Sequence, residues 1–295
     1  MKTILRPVRL ALPAATLAVV VWRIGAGPFL AGVRAVDGRA LLAATTIGFL
    51  TTVCCAWRWT VVARGLGLPL SLPAAVAAYY RSLFLNLTLP GGVAGDVHRG
   101  VSHGRQVRDV GRALRAVVCE RAAGQVVQAV LTVAALLVLP SPVRSAMPFV
   151  ALAVVGAAVG IVLVARGRRA DIRAGLHLNL IPAVALASAV VVLGHAVTFL
   201  IAARTTGVTA PPSQMLPLAL LALLAMVLPS VAGWGPREGA TAWVFASVGL
   251  GADRGAATAV AYGVMVLAAS LPGALVLVAG RLSSPVVRHG GTADA

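Results

Sequence analysis

Six stretches of the chain, at roughly 10–30, 40–63, 116–139, 147–165, 180–203 and 256–280, are each apolar and long enough to cross a bilayer, which takes about 20 consecutive apolar residues. A chain of 295 residues cannot fold that many such segments inside one another in water. Composition agrees: 59% of residues are hydrophobic and 11% charged, with a mean hydropathy of +0.94, whereas a soluble domain carries about 25% charged residues. An ordinary soluble enzyme and a disordered chain are both excluded. The expected fold class is all-α, a polytopic helical membrane protein, as one integral membrane domain over 1–295 with its core at 10–280 and a short cytoplasmic tail at 281–295. The first stretch follows Lys2, Arg6 and Arg9 as a signal peptide would, but apolar character resumes at Pro28-Phe29-Leu30, so it reads as an uncleaved helix.

The net charge of +17 does not point to nucleic acid. The excess arises because acids are scarce and arginines sit between apolar runs, as topology signals do. Arg99, Arg105, Arg108, Arg112 and Arg115 in 96–115, and Arg166, Arg168, Arg169 and Arg173 in 166–173, place both stretches on the cytoplasmic side. The N- and C-termini fall on that side too; the loop at 31–39, with Arg34 and Arg39, is the poorest fit. Cys54, Cys55 and Cys119 lie in apolar stretches without metal or redox spacing, so neither a disulfide framework nor a metal site is expected.

Two further apolar segments, 72–95 and 214–250, break the alternation of sides if each crosses once. Both contain proline and glycine where a helix would have to break: Pro90, Gly91, Gly92 and Gly95 in the first, Pro229, Gly233, Gly235 and Gly239 in or just after the second. Broken backbone at membrane depth is tolerated where it is buried in protein or lines a wet cavity. The expectation is therefore six full spans plus two re-entrant hairpins from opposite faces, an inverted-repeat pattern that in transporters surrounds the central site. Two spans with proline kinks would produce the same composition.

An ionisable residue within a membrane segment costs at least ~2.5–3.5 kcal/mol on insertion scales, which makes each a functional candidate. Of the eight acids, Asp96, Glu120 and Glu238 lie at the broken segments or just inside a span. Arg99, Arg121 and Arg237 accompany them, and Arg81 follows Tyr79-Tyr80 in the first hairpin. Asp96 and Arg99 are spaced to share one helix face. Glu120-Arg121 and Arg237-Glu238 are adjacent, so they are expected to pair across the fold, for example Arg237 with Asp96 or Glu120. Such a network can pin the hairpins together. It can also hold a phosphate, for which the arginine fork donates two parallel hydrogen bonds. His98 and His103 read as solvated interface residues, His195 as a packing residue within a span, Trp57, Trp59, Trp234 and Trp243 as interface aromatics, and Gly156/Gly160 as a close helix contact. No catalytic motif and no cofactor-binding motif is present.

The run Asn86-Leu87-Thr88-Leu89-Pro90-Gly91-Gly92-Val93-Ala94-Gly95-Asp96-Val97-His98-Arg99 is followed in order by Glu120-Arg121 and by Gly233-Trp234-Gly235-Pro236-Arg237-Glu238-Gly239. This ordered set resembles the lysylphosphatidylglycerol synthase transmembrane-region family, also described as flippase-like integral membrane proteins, over roughly 10–280. The resemblance implies a helical domain that moves lipid head groups between leaflets. In founding members it is fused to a soluble aminoacyl-transferase; residues 281–295 are too few to hold one, so lysyl transfer is not expected. Two departures stand out. Ser230-Val231-Ala232-Gly233 replaces the family's Ser-Pro-Gly-Gly, and Gly124 stands where an acid commonly follows the Glu-Arg pair.

The function expected is a flippase-like protein of the cell membrane that translocates an anionic lipid or lipid-linked head group. Its binding residues would be Arg81, Asp96, Arg99, Glu120, Arg121, Arg237 and Glu238, its partner a phosphatidylglycerol-type or polyprenyl-phosphate-linked lipid. The alternatives are a membrane-embedded transferase, with Asp96 or Glu238 as general base, and a non-transporting partner of a lipid or glycan synthase.

Overall fold

The computed structural model describes residues 22, 25–89, 92–139, 156, 181–227 and 234–282. Within them the fold is all-α. Helix α1 (Gly27–Ala35) leads into α2 (Gly38–Gly65), α3 (Leu72–Thr88), α4 (Ala94–Gln106) and α5 (Val110–Val138). Then come α6 (Ile181–Thr205), α7 (Pro212–Leu224) with a 3-10 turn at Ala225–Val227, α8 (Pro236–Ser247), α9 (Ala252–Ser270) and α10 (Pro272–Leu282). Among the described residues, four stretches are long and apolar enough to span a bilayer: Gly38–Gly65, Val110–Val138, Ile181–Thr205 and Ala252–Ala279.

The helix ends are chemically marked. Prolines stand in the first turns of α1, α3, α7 and α8, where the missing N–H costs no bond. Asp37 caps α2 by accepting from the Ala40 N–H at 2.7 Å, and Asp109 caps α5 by accepting from Arg112 at 2.8 Å. Replacing an N-cap acid by alanine costs about 1 kcal/mol. Asp109→Ala is therefore expected to lower the unfolding midpoint in detergent and to speed amide exchange over 110–113; unchanged exchange there would show that the cap is idle.

Spans α2 and α6 run antiparallel. Arg58 meets Ser188, Thr51 meets Gly194, and the Ala40 end of α2 lies beside Arg204. Each is followed by a short helical hairpin and then by another span. In the first hairpin, α3–α4, the His103 ring near the end of α4 lies 3.0 Å from the Pro69 carbonyl that precedes α3, so the hairpin returns to the end it left. At the second, α7–α8, Thr206 before the hairpin bonds to Thr258 beyond it at 2.8 Å. Because α2 and α6 are antiparallel, the two hairpins sit at opposite ends of the bundle.

The backbone devices repeat as well. Arg64, Gly67 and Leu68 close α2, with Gly67 at φ +74° and the Leu68 N–H bonded to the Ala63 carbonyl. Arg204, Gly207 and Val208 close α6 the same way, with Gly207 at φ +80° and Val208 bonded to Ala203. A left-handed stop of this kind favours glycine. Among the described residues there are two buried cores, the second of which also takes in Ala40 and Ala44 of α2. One gathers Trp59, Val62, Ala75, Tyr79, Ala113 and Val117; the other gathers Phe199, Met215, Leu218, Phe245, Tyr262 and Met265. Leu42, Phe49, Leu186 and Leu193 point outward from the spans, as side chains facing lipid would.

Several expectations change. The stretch 31–39 is not a loop: it holds the end of α1 and the start of α2, divided at Val36-Asp37. The first hairpin's return arm reaches Gln106, inside what the sequence suggested was a basic loop, because Gly95, Asp96, Arg99, Gly100, His103 and Gly104 form one buried face. His103 is thus a core residue, not an interface one, and so is Trp59. The last span is interrupted at Leu271-Pro272, and α10 continues to Leu282. Gly95 and Gly239 lie inside helices and break nothing. Of the expected breaks, Gly92 at φ +65° and Gly235 at φ +115° do form turns with positive φ. Pro90, Gly91, Pro229 and Gly233 lie outside the described residues, as do most of 10–30, nearly all of 147–165 with Gly160, the arginines of 166–173 and the tail beyond Leu282.

Candidate ion-cluster site

Glu120 is the centre of the first half and is fully buried. Its Oε1 accepts from Arg58 Nε at 2.8 Å and also pairs with Arg58 Nη2. Its Oε2 accepts from Arg99 Nη2 at 2.8 Å, and the Tyr79 hydroxyl lies 3.1 and 3.2 Å from the two carboxylate oxygens. The third arm of the Arg58 fork, Nη1, donates to Ser188 Oγ at 2.8 Å, so one guanidinium ties α2 to α5 and α6.

Asp96 stands beside this group in the first turn of α4, where the helix dipole favours a negative charge. It pairs with Arg99 Nε at 3.0 Å, accepts from Ser82 and Asn86 at 3.2 and 2.8 Å, and reaches Arg121 Nη1 at 3.1 Å. Asn86 also accepts from the Gly95 N–H at 2.7 Å, locking the hairpin tip. This closeness depends on Gly95. A Cβ there would come within 2.0 Å of the Ser82 carbonyl oxygen.

Arg99 is held on its flat faces too, with its guanidinium 4.7 Å from the Trp59 ring and 4.2 Å from the Tyr79 ring. Its Nη1 nonetheless has no hydrogen-bond partner among the described residues, although it is buried. A buried donor of a charged group left unpaired is costly, and an acceptor arriving there would recover that cost. The group holds three guanidinium ions, of Arg58, Arg99 and Arg121, against the two carboxylates of Asp96 and Glu120. Gly124 sharpens the excess. A Cβ at that position would lie 2.9 Å from Arg58 Nη1, so an acid there would sit against this guanidinium, and glycine supplies none.

The second half has a smaller group. The Gly235 N–H donates to Glu238 Oε2 at 2.7 Å, and the other oxygen accepts from Arg237 Nε at 2.9 Å and pairs with its Nη2. Arg237 lies over Trp234 and Tyr262, at 5.6 and 5.2 Å, and its Nη1 is buried without a partner among the described residues. The Tyr262 hydroxyl is 2.9 Å from His195 Nδ1. Between the halves lies a cavity of about 50 Å³. Tyr79 lines it from the Glu120 side and His195 from the Tyr262 side, and Cys55 in its wall is 3.9 Å from Arg58 Nη2.

Four of the seven expected binding residues, Asp96, Arg99, Glu120 and Arg121, therefore form one network, and Arg58, which sequence reasoning overlooked, joins it through Glu120. The signal was there: an arginine inside the span 40–63, as conspicuous as Glu120 in its own. Tyr79 and Asn86 were missed because hydroxyl and amide groups are common in spans. Two pairings also differ from expectation. Arg237 pairs with its neighbour Glu238 and not with Asp96 or Glu120, because Glu238 folds back onto the helix start and brings its carboxylate beside Arg237. Arg81 is half-buried, its Nε unpaired, and joins no ion pair among the described residues. Arg121 is the half-exposed member, with 44% of its side chain accessible. No group of three or more potential metal ligands occurs among the described residues.

A family model described as "Lysylphosphatidylglycerol synthase TM region" matches residues 8–273. No curated protein matches the chain.

Proposed function

The chain belongs to the lysylphosphatidylglycerol synthase TM region family, and from that membership and its buried ion clusters we propose that it moves an anionic lipid head group between the leaflets of the cell membrane. The observation that carries this reading is the surplus cation around Glu120, with Arg99 Nη1 buried and unpaired. A phosphodiester brings one negative charge and several acceptors, which suits a site with one guanidinium in excess. Arg121, half-exposed on Asp96, is where the anion would first exchange with a carboxylate.

The two hairpins, returning to opposite ends of the bundle, act in this reading as re-entrant elements from the two faces, with the α3–α4 hairpin on the cytoplasmic side beside the arginines of 105–115. Both termini are cytoplasmic. Aligned half-helix starts at Asp96 and Glu238 are the features by which such folds present a midplane site to either side. A phosphatidylglycerol-type or polyprenyl-phosphate lipid is the cargo, and a synthase that makes or uses that lipid is the natural partner.

Leaflet exchange of fluorescent phosphatidylglycerol and of a fluorescent polyprenyl phosphate in proteoliposomes tests this. Wild type is expected to exchange at least one of them. Arg99→Gln should reduce that exchange about tenfold or more while the protein stays folded, since a hydrogen bond to a charged group contributes about 1.5–3 kcal/mol. Exchange that is equal in Arg99→Gln and wild type would rule the site out.

A further inference from the structure

Resting on the anion-binding reading above, we propose that the site selects a phosphodiester whose far end carries hydroxyl groups, a glycerol or sugar head group, and turns away one that ends in an amine. The two halves of the molecule differ in chemistry at matched positions.

The halves superpose in kind. Trp59 of α2 packs edge-on against His103 of α4, with centroids 5.6 Å apart; Phe199 of α6 packs edge-on against Phe245 of α8 at 6.5 Å. With Trp59 matched to Phe199, Cys55 falls on His195 and Arg58 on Thr198. Asp96 and Glu238 occupy the same place in the first turns of α4 and α8, which sets Arg99 opposite Thr241. Glu120 and Tyr262 lie equally far into α5 and α9. The first half therefore carries Arg58, Arg99 and Glu120 where the second carries Thr198, Thr241 and Tyr262. One wall of the molecule's interior carries the five-ion cluster, and the matching positions of the other carry neutral hydrogen-bonding groups beside the single Arg237–Glu238 pair.

The cavity between the halves has the same character. Thr51, Thr198, Ser270 and His195 line it, with Thr52, Tyr79 and mainly apolar side chains in the rest of its wall, and neither an arginine nor a carboxylate does. The hydroxyls of Thr51, Thr198 and Ser270 donate to the carbonyls of Gly48, Gly194 and Leu267 in their own helices, at 3.1, 3.0 and 2.7 Å. With their protons so engaged, they present acceptor lone pairs to the cavity. His195 Nδ1 lies 2.9 Å from the Tyr262 hydroxyl, and the ring lines the cavity. A space of about 50 Å³ takes one or two waters or the hydroxymethyl end of a polyol. Acceptors with one imidazole suit hydroxyl donors. An ammonium group would be buried there without a counter-ion, next to a group that already has a cation in excess, and that is unfavourable on both counts. The phosphate at Arg58 and Arg99 and the hydroxyls in the cavity are neighbours because Cys55, in the cavity wall, touches Arg58.

The test is binding to the purified protein in detergent, with three short-chain probes: phosphatidylglycerol, phosphatidylmethanol and lysylphosphatidylglycerol. Phosphatidylmethanol carries the same single charge without the hydroxyls. Wild type is expected to bind phosphatidylglycerol about tenfold more tightly than phosphatidylmethanol, the effect of one or two buried hydrogen bonds. It should bind lysylphosphatidylglycerol most weakly. The Thr198→Val/Ser270→Ala double variant should lose the preference and keep its affinity for phosphatidylmethanol. Equal wild-type affinity for phosphatidylglycerol and phosphatidylmethanol would overturn the proposal and leave the anion site standing, as would tightest binding of lysylphosphatidylglycerol. If phosphatidylmethanol and phosphatidylglycerol both fail to bind, the anion site falls and the proposal with it. The wild-type comparison decides the question even if the double variant does not fold.

Discussion

Glu120→Leu is expected to destabilise the protein by about 3–5 kcal/mol, the cost of leaving buried partner charges uncompensated. Two guanidinium groups lose their carboxylate at once, since Arg58 and Arg99 both end on Glu120, and Tyr79 loses its acceptor. Neither arginine has a replacement anion for those arms: Arg58 keeps Ser188 and the Cys55 sulfur, and Arg99 keeps Asp96 on its Nε. The control is Arg121→Leu. That side chain is 44% accessible, and its partner Asp96 retains Arg99, Ser82 and Asn86, so the expected loss is that of an exposed pair, about 0–1 kcal/mol. Unfolding midpoints in detergent, followed by intrinsic fluorescence, separate the two. Similar shifts for both variants would mean that Glu120 is solvated and that the cluster is not the structural and electrostatic centre described above.

Gly95→Val carries the second large effect. Even the first carbon of the new side chain would lie 2.0 Å from the Ser82 carbonyl oxygen and 2.7 Å from that residue's Cα. Backbone cannot swing aside as a flexible side chain can, so α4 must move off α3. The Asn86–Gly95 bond and the Asp96 contacts to Ser82 and Asn86 go with it. Overpacking a tight interface costs about 1–3 kcal/mol, and the upper end is expected here together with loss of leaflet exchange. Gly111→Ala offers the contrast. Its nearest neighbour would be Asp109 Oδ1 at 3.7 Å, ordinary contact, and alanine is better than glycine in a helix by roughly 0.5–1 kcal/mol. If Gly95→Val is as stable as wild type, the close approach of the two helices is not needed.

Much of the architecture was legible because hydropathy and charge placement are local signals. Four spans follow from apolar length alone, and Asp96, Glu120 and Glu238 stood out because an acid in such a segment is conspicuous. What failed was partnership. Pairing across the fold depends on which helix faces which, and no sequence spacing reports that, so Arg58 stayed hidden among topology-setting arginines although it was in plain view. Adjacent residues were expected to point apart on a helix. That rule weakens at a helix start, where Glu238 turns back to the Gly235 N–H and meets Arg237 there. Gly95 was taken for a breaker because glycine loosens a helix in general; only the distance to Ser82 shows that it is needed for contact instead. The return arm through Gln106 was masked by its own arginines, of which Arg99 is buried and Arg105 exposed on one amphipathic helix.

The matched helix stops at Gly67 and Gly207 mean that the molecule contains its own reference state. Both hairpins are launched by the same glycine stop and the same arginine, Arg64 donating to the Leu70 carbonyl and Arg204 to the Val208 carbonyl, so the two halves can differ in chemistry without differing in frame. Arg58, Arg99 and Glu120 each have a counterpart position where the same frame meets a neutral group, whereas Asp96 is matched by Glu238. Glu120→Tyr and Tyr262→Glu, or Arg58→Thr and Thr198→Arg, exchange the walls without altering the stops. A property that follows the charges into the second half belongs to electrostatics; one that stays with the position belongs to the scaffold.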